Sequence, residues 1–162
     1  MSDGSRRLVI LRHAKSAWPE GVPDARRPLS ERGRRDAPAA GRWLRDRAEH
    51  IEAVVCSPAV RTRQTWELVA AELGETPDPV FDERVYAATA EELLAVVREL
   101  PEDAGSAVLV GHNPGVTDLV TLTTRESPRM RTSAIAVLEL TGTWRDATPG
   151  GGALVAHATP RG

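Results

Sequence analysis

Apolar residues in this chain gather in short unbroken runs: Leu8 to Leu11, Ala53 to Cys56, Val80-Phe81 and Ala107 to Val110. Runs of this length, bounded by polar or turn residues, read as strands buried on both faces. Between them the apolar positions fall at three- and four-residue spacing, which predicts helices. Ser30 is the expected N-cap of a helix with Ala37, Ala40, Trp43 and Leu44 on one face, running to about His50. Ser57-Pro58 reads as an N-cap and first helical residue for a helix through Trp66, Val69 and Leu73. Thr89 and Glu92 have capping-box spacing and open a helix through Leu93, Leu94, Val97 and Leu100. Val116 to about Thr123 is the next helix. Ser133 to Leu140 is a strand, and Ala153 to His157 pairs beside it across Gly150-Gly151-Gly152.

Strands alternating with helices predict an α/β fold, a single-domain α/β/α sandwich with a mostly parallel central sheet. The 162 residues suit one domain, with residues 1–7 as a flexible N-terminal tail and 8–160 as the folded unit. Composition adds little: 41% hydrophobic and 27% charged residues belong to an ordinary globular chain. A net charge of -2 gives no reason to expect nucleic acid as a partner. No apolar stretch suits a signal peptide or a spanning helix, so neither membrane association nor export is expected. The lone cysteine, Cys56, excludes an internal disulfide. A cytoplasmic location is the expectation. Nothing in the sequence bears on oligomeric state.

The chemistry concentrates at strand ends. Arg12-His13 closes the first apolar run, and Gly111-His112 closes the run Val108 to Val110. Arg61 falls in the first turn of a helix that follows another strand. Parallel strands deliver their carboxyl ends to one edge of the sheet, where ligands collect in open α/β folds. Two histidines and two arginines at that edge can hold an anion and attack it. Ser16, three residues after His13, can add a hydroxyl.

The segments LRHAKS at Arg12-His13, RPLSERG at 27 to 33, CSPAVRTRQT around Arg61, DERVYAAT at 82 to 89 and VLVGHNPGV around His112 resemble the histidine phosphatase superfamily. That is the phosphoglycerate-mutase-like fold, and the similarity is greatest to the short bacterial SixA-type phosphohistidine phosphatase branch. The resemblance spans residues 8 to 140. It implies His13 as nucleophile, Arg12, Arg61 and His112 as the rest of the phosphate pocket, and Ser16 where the family has Ser or Thr. Glu83-Arg84-x-Tyr86 resembles the mutase stretch in which the Glu donates a proton. Ala14 departs from the family glycine, and Trp18-Pro19 stands where an asparagine is common.

A neutral ring nitrogen of His13 can attack phosphorus in line while the other nitrogen holds its hydrogen on a backbone carbonyl. Arg12 and Arg61 can hold phosphoryl oxygens in their forks, and a protonated His112 adds a donor. No metal and no cofactor is required. The expected substrate is a phosphorylated protein bearing phosphohistidine. A small phosphate ester is the alternative, and a phosphate-binding regulatory module without turnover is another. An ester leaving group needs a general acid, for which Glu83 is the candidate and Asp24 the second choice.

Other polar residues read as structural. Cys56 precedes Arg61 by a loop one residue shorter than that of cysteine phosphatases, and it reads as a buried strand end. His50 suits a helix C-terminus. His157 has no evident partner, and no histidine pair has metal-ligand spacing. Trp43, Trp66 and Trp144 read as core, whereas Trp18 lies in the loop after His13. Arg26-Arg27 and Arg32, Arg34 and Arg35 read as solvated, with docking of an acidic phosphoprotein as the functional alternative.

Overall fold

The computed structural model describes residues 4–162. The elements follow in the order β1 (Ser5–Arg12), α1 (Glu31–Asp46), β2 (Ala53–Cys56), α2 (Val60–Ala71), β3 (Val80–Phe81), α3 (Ala90–Arg98), β4 (Ser106–Gly111), α4 (Gly115–Thr124), β5 (Ile135–Thr141) and β6 (Gly152–Ala158). They build one six-stranded sheet in the order β3-β2-β4-β1-β5-β6. β3, β2, β4 and β1 run parallel, while β5 and β6 close one edge in antiparallel fashion. The sheet is therefore mixed, with its parallel part at the strands that carry the site.

The unbroken apolar runs exist because both faces of the sheet are covered. Along β1, Leu8 and Ile10 join a core with α3 and α4, while Val9 and Leu11 join a second core with α1 and α2. β2 and β4 divide in the same way. Alternation is present in the geometry but invisible in the residue types, because both destinations are apolar. β6 lies at the edge and exposes every second residue.

Two boundaries differ from the sequence expectation. Residues 5–7 of the supposed tail belong to β1, where Arg7 pairs with Glu49 and Glu139 and Arg6 with Glu102. Residues 1–3 of that tail lie outside the described residues. α1 ends at Asp46, so His50 is in the following loop, where its carbonyl accepts a hydrogen bond from Ser106 Oγ.

The N-terminus of α1 is built against the loop that follows His13. Ser30 caps it by accepting from Gly33 N at 3.1 Å, and both the amide and hydroxyl of Ser30 donate to Lys15 O. A Cβ on Gly33 would stand 2.1 Å from that carbonyl. Glycine is needed here for a close approach rather than for an unusual φ.

Candidate active site

β1 and β4 are parallel neighbours with Arg12 opposite Gly111, so His13 and His112 follow in step at the sheet edge. Their ring centroids are 5.3 Å apart. Burial pushes both rings well below an ordinary imidazole: His13 to about 3 and His112 to about 4, with Arg61 and Arg12 adding to the shift in each case. Both are neutral near pH 7.

The rings are held by opposite nitrogens. His13 Nδ1 lies 2.7 Å from Ala14 O, so it carries the hydrogen and donates it, which leaves Nε2 with its lone pair and no hydrogen-bond partner among the described residues. This matches the expected backbone acceptor. His112 Nε2 lies 2.8 Å from Ser57 Oγ, and its Nδ1 is buried with no hydrogen-bond partner. Ser57 Oγ already accepts from Ala59 N. Directing the Ser57 hydrogen to Nε2 leaves His112 neutral with Nδ1–H, a donor. Burial beside two arginines disfavours the cation, so where a protonated ring is one way for His112 to donate, the neutral Nδ1–H tautomer is another.

Ser57 was expected to cap α2. The cap position is Ala59, which makes no side-chain bond there, and Ser57 is fully buried beneath His112. The strand alternation of β2 gives the reason. Cys56 points into the core and Ser57, one step on, belongs to the site.

Arg12 and Arg61 frame the pair, with their forks partly occupied. Arg12 Nη1 donates to Met130 O. Arg61 donates through Nη1 to Asp24 O and through Nη2 to the Asp24 carboxylate. The Nε atoms of both are buried and unpartnered. The terminal fork of Arg61 is thus spent on Asp24, and that of Arg12 is half spent on Met130 O.

Around this edge runs a frame that the sequence did not reveal. Asp24 also accepts from Tyr86 Oη and from Arg27, and these hydrogen bonds with Arg61 hold its carboxyl well below the usual range. Asp24 is thereby held as a carboxylate by three donors in this arrangement. Tyr86 packs edge-on against His112, with centroids 5.4 Å apart. Arg27 is buried rather than solvated, donating to Ala17 O, Asp24 and Ser16 Oγ and lying over the Trp18 ring. Ser16 thus has Arg27 as its partner. Thr65 Oγ1 takes the amide of Ala14, and Gln64 takes that of Leu29, so two polar residues of α2 fix the loop around the site. Ala14 is not among the residues with positive φ, so this loop geometry does not require the family glycine.

Of the expected site residues, the structure brings together His13, Arg12, Arg61 and His112. Glu83 is exposed in the 3-10 turn Glu83–Val85 and makes no side-chain hydrogen bond or ion pair among the described residues. Burial pushes the Cys56 thiol up to about 12, and the residue is fully buried. Among the described residues no group of three or more His, Cys, Asp and Glu could hold a metal ion, and no helix is long and apolar enough to cross a membrane.

The model of the histidine phosphatase superfamily (branch 1) matches residues 8–105. The chain belongs to that superfamily and, with it, to the phosphate-cleaving hydrolases. An uncharacterised protein of Mycobacterium tuberculosis strain H37Rv is 36% identical over 162 residues, covering 93% of this chain and 100% of its own. A solved structure from Nakamurella multipartitia, assigned as a phosphohistidine phosphatase SixA, superposes with TM-score 0.83 at 34% identity over 97% of both chains. The protein histidine phosphatase SixA in complex with tungstate superposes with TM-score 0.84 at 26% identity, over 95% of this chain and 97% of its own. A phosphoglycerate mutase from Bacillus anthracis shares the fold at TM-score 0.71 and 13% identity.

Proposed function

We propose that this chain dephosphorylates phosphohistidine on proteins, through a phosphoryl intermediate on His13 and without a metal. One observation carries the reading. A neutral histidine offers an unpartnered Nε2 at an edge where Arg12 Nε, Arg61 Nε and His112 Nδ1 are buried without partners. Donors gathered from three elements round one ring call for an anion to accept from them. A tetrahedral phosphoryl group has the charge and the oxygens to do so.

In the first step His13 Nε2 attacks phosphorus, the P–N bond forms, and the bond to the leaving group breaks with its electron pair. Arg12, Arg61 and His112 neutralise charge on the phosphoryl oxygens. In the second step water attacks the same phosphorus and His13 departs as a neutral imidazole once its lone pair is returned.

The choice of leaving group rests on acid chemistry. Asp24 is held as a carboxylate by Tyr86, Arg27 and Arg61, and Glu83 has no bonded place at the pocket. An imidazole leaving group, protonated on its far nitrogen, departs without an enzymic acid. An alkoxide does not. The SixA neighbours support the same substrate class. The single buried thiol and the lack of a spanning helix among the described residues fit a cytoplasmic setting.

The test is phosphate release from a phosphohistidine peptide beside glycerol 2-phosphate. Hydrolysis of the peptide, with the ester turned over at least about a hundredfold more slowly, is the expected result. Equal turnover of both would move the substrate to phosphate esters, with Glu83 restored as the acid.

A further inference from the structure

A broad cleft of about 720 Å³ opens beside the site, sharing Arg12 as part of its wall. Five further cations line it: Lys15, Arg32, Arg129, Arg131 and Arg161. The one acid there is Asp36, which is 1% exposed and already accepts from Arg32 at 3.2 Å and Arg161 at 3.1 Å. The side chains of Lys15, Arg129 and Arg131 are exposed and have no acidic partner among the described residues. In a chain of net charge -2 this concentration of positive charge is local.

The backbone that carries these arginines is fixed. Arg129 O accepts from His157 Nε2, Met130 O accepts from both Arg12 and Asn113, and Thr132 O accepts from Arg161. Met130 is buried between Arg129 and Arg131, so the two guanidinium groups leave a pinned strand of chain on its solvent side. His157, without an evident role in the sequence, is one of the pins.

We infer that this cleft docks an acidic segment flanking the phosphorylated residue of a protein substrate, an inference that rests on the phosphohistidine reading of the site. The cations come from four places: the loop after β1, the first turn of α1, the 128–132 segment and the C-terminal Arg161. Charges so dispersed suit a row of carboxylates better than one compact phosphate. Asp36, held by two arginines inside the same cleft, shows the carboxylate geometry that the lining accepts. The lining holds no aromatic residue, so there is no platform on which the bases of a single strand could stack.

The experiment uses two synthetic peptides with the same central phosphohistidine, one flanked by glutamates and one by glutamines. The measured quantity is the ratio of their kcat/KM values, in wild type and in the Arg129→Glu/Arg131→Glu double variant. The ratio cancels any general loss of activity. Wild type is expected to favour the acidic peptide by about tenfold, mainly through KM, with the preference weakening as salt rises. The double variant is expected to bring the ratio to about one or invert it. A wild-type ratio near one, or a preference kept by the variant, overturns the docking site. So does displacement of the acidic peptide by an oligothymidine at equal charge concentration, which would make the cleft a nucleic-acid site. If wild type hydrolyses neither peptide, the phosphohistidine reading fails. The cleft is then decided by anisotropy with the unphosphorylated acidic peptide, which must bind wild type more tightly than the double variant.

Discussion

His13 and His112 occupy equivalent places on neighbouring parallel strands, yet the protein treats them in opposite ways. The His13 ring is tied at Nδ1 by a backbone carbonyl, and the His112 ring at Nε2 by a serine hydroxyl. The first arrangement presents a lone pair, and the second presents an N–H when the Ser57 hydroxyl donates to Nε2. Burial lowers both so that neither carries a charge near pH 7. In the proposed reaction, two like residues in one environment thus serve as nucleophile and hydrogen-bond donor through their different outer partners. The partner differs because it comes from a different element. For His13 it is the next residue of its own loop, whereas for His112 it is the end of β2 across the sheet.

The largest effect expected from breaking this comparison is at His13. His13→Ala should lower kcat on a phosphohistidine peptide by on the order of 10⁴-fold or more, because no other group can take the phosphoryl. Rapid acid-free quenching with labelled substrate should show phosphoenzyme in wild type and none in the variant. His112→Ala should cost less, about 10² to 10³-fold, since it removes one donor and leaves the nucleophile in place. Equal losses would mean that the two rings are not divided into these roles.

Ser57 comes next in size. Ser57→Ala removes the hydrogen bond that sets the His112 tautomer, and kcat should fall by about tenfold with KM little changed, in keeping with one hydrogen bond. A purely structural role would give the same loss in any background. A tautomer-setting role would not. In a His112→Ala protein the Ser57→Ala change should therefore have almost no further effect on kcat.

The shared burial of the two rings makes a smaller, pH-dependent prediction. Unfolded histidines take up a proton near pH 6.5, whereas the folded rings wait until about 4 for His112 and about 3 for His13. Between those values the unfolded chain binds more protons. Stability from these groups is complete above about pH 6.5 and is lost as pH falls toward the folded values. The melting temperature should decline between about pH 7 and about pH 5, and His112→Gln should flatten part of that slope. Turnover, by contrast, should persist to about pH 5, because His13 keeps its lone pair there. An activity that collapses at about pH 6.5 would place His13 in a far more solvated setting.

The legibility of these features in the sequence follows their physics. Runs such as Leu8 to Leu11 were readable because a strand covered on both faces has to be apolar throughout. The end of such a run marks where the chain leaves the core, so Arg12-His13 and His112 declared themselves. Asp24 was not readable as the shared partner of Arg61 and Tyr86. Asp24 and Tyr86 lie in separate loops, and only the closed sheet edge brings the carboxylate to both partners. Arg27 looked like one of several surface arginines, because no local pattern says that a side chain folds back onto its own loop. Ser57 was misassigned for a sharper reason. Ser-Pro ahead of a helix satisfies the local rules for a cap, and a tertiary bond to His112 overrode them. Residues 5–7 read as tail because Ser5, Arg6 and Arg7 are polar, yet the sheet continues beyond the core where ion pairs take over from apolar contacts.

The smallest expected effect is at Cys56, and it sharpens the comparison by testing a second candidate nucleophile against His13. Cys56 and Ser57 are consecutive and both fully buried, but strand alternation separates their destinations. Cys56 packs among Val54, Trp66 and Val110 in the α1/α2 core, with its thiol pushed up to about 12 by burial. At about pH 8 almost none of it is thiolate, and the thiolate is the reactive form. Iodoacetamide should leave the folded protein unlabelled and fully active, while urea-unfolded protein should take one label. Cys56→Ala should keep kcat within about twofold and cost only the small stability of a trimmed core side chain, about 1 kcal/mol. Rapid labelling of the folded protein with parallel loss of activity would place the thiol at the sheet edge, and the division of labour between His13 and His112 would then have to be drawn again around a sulfur.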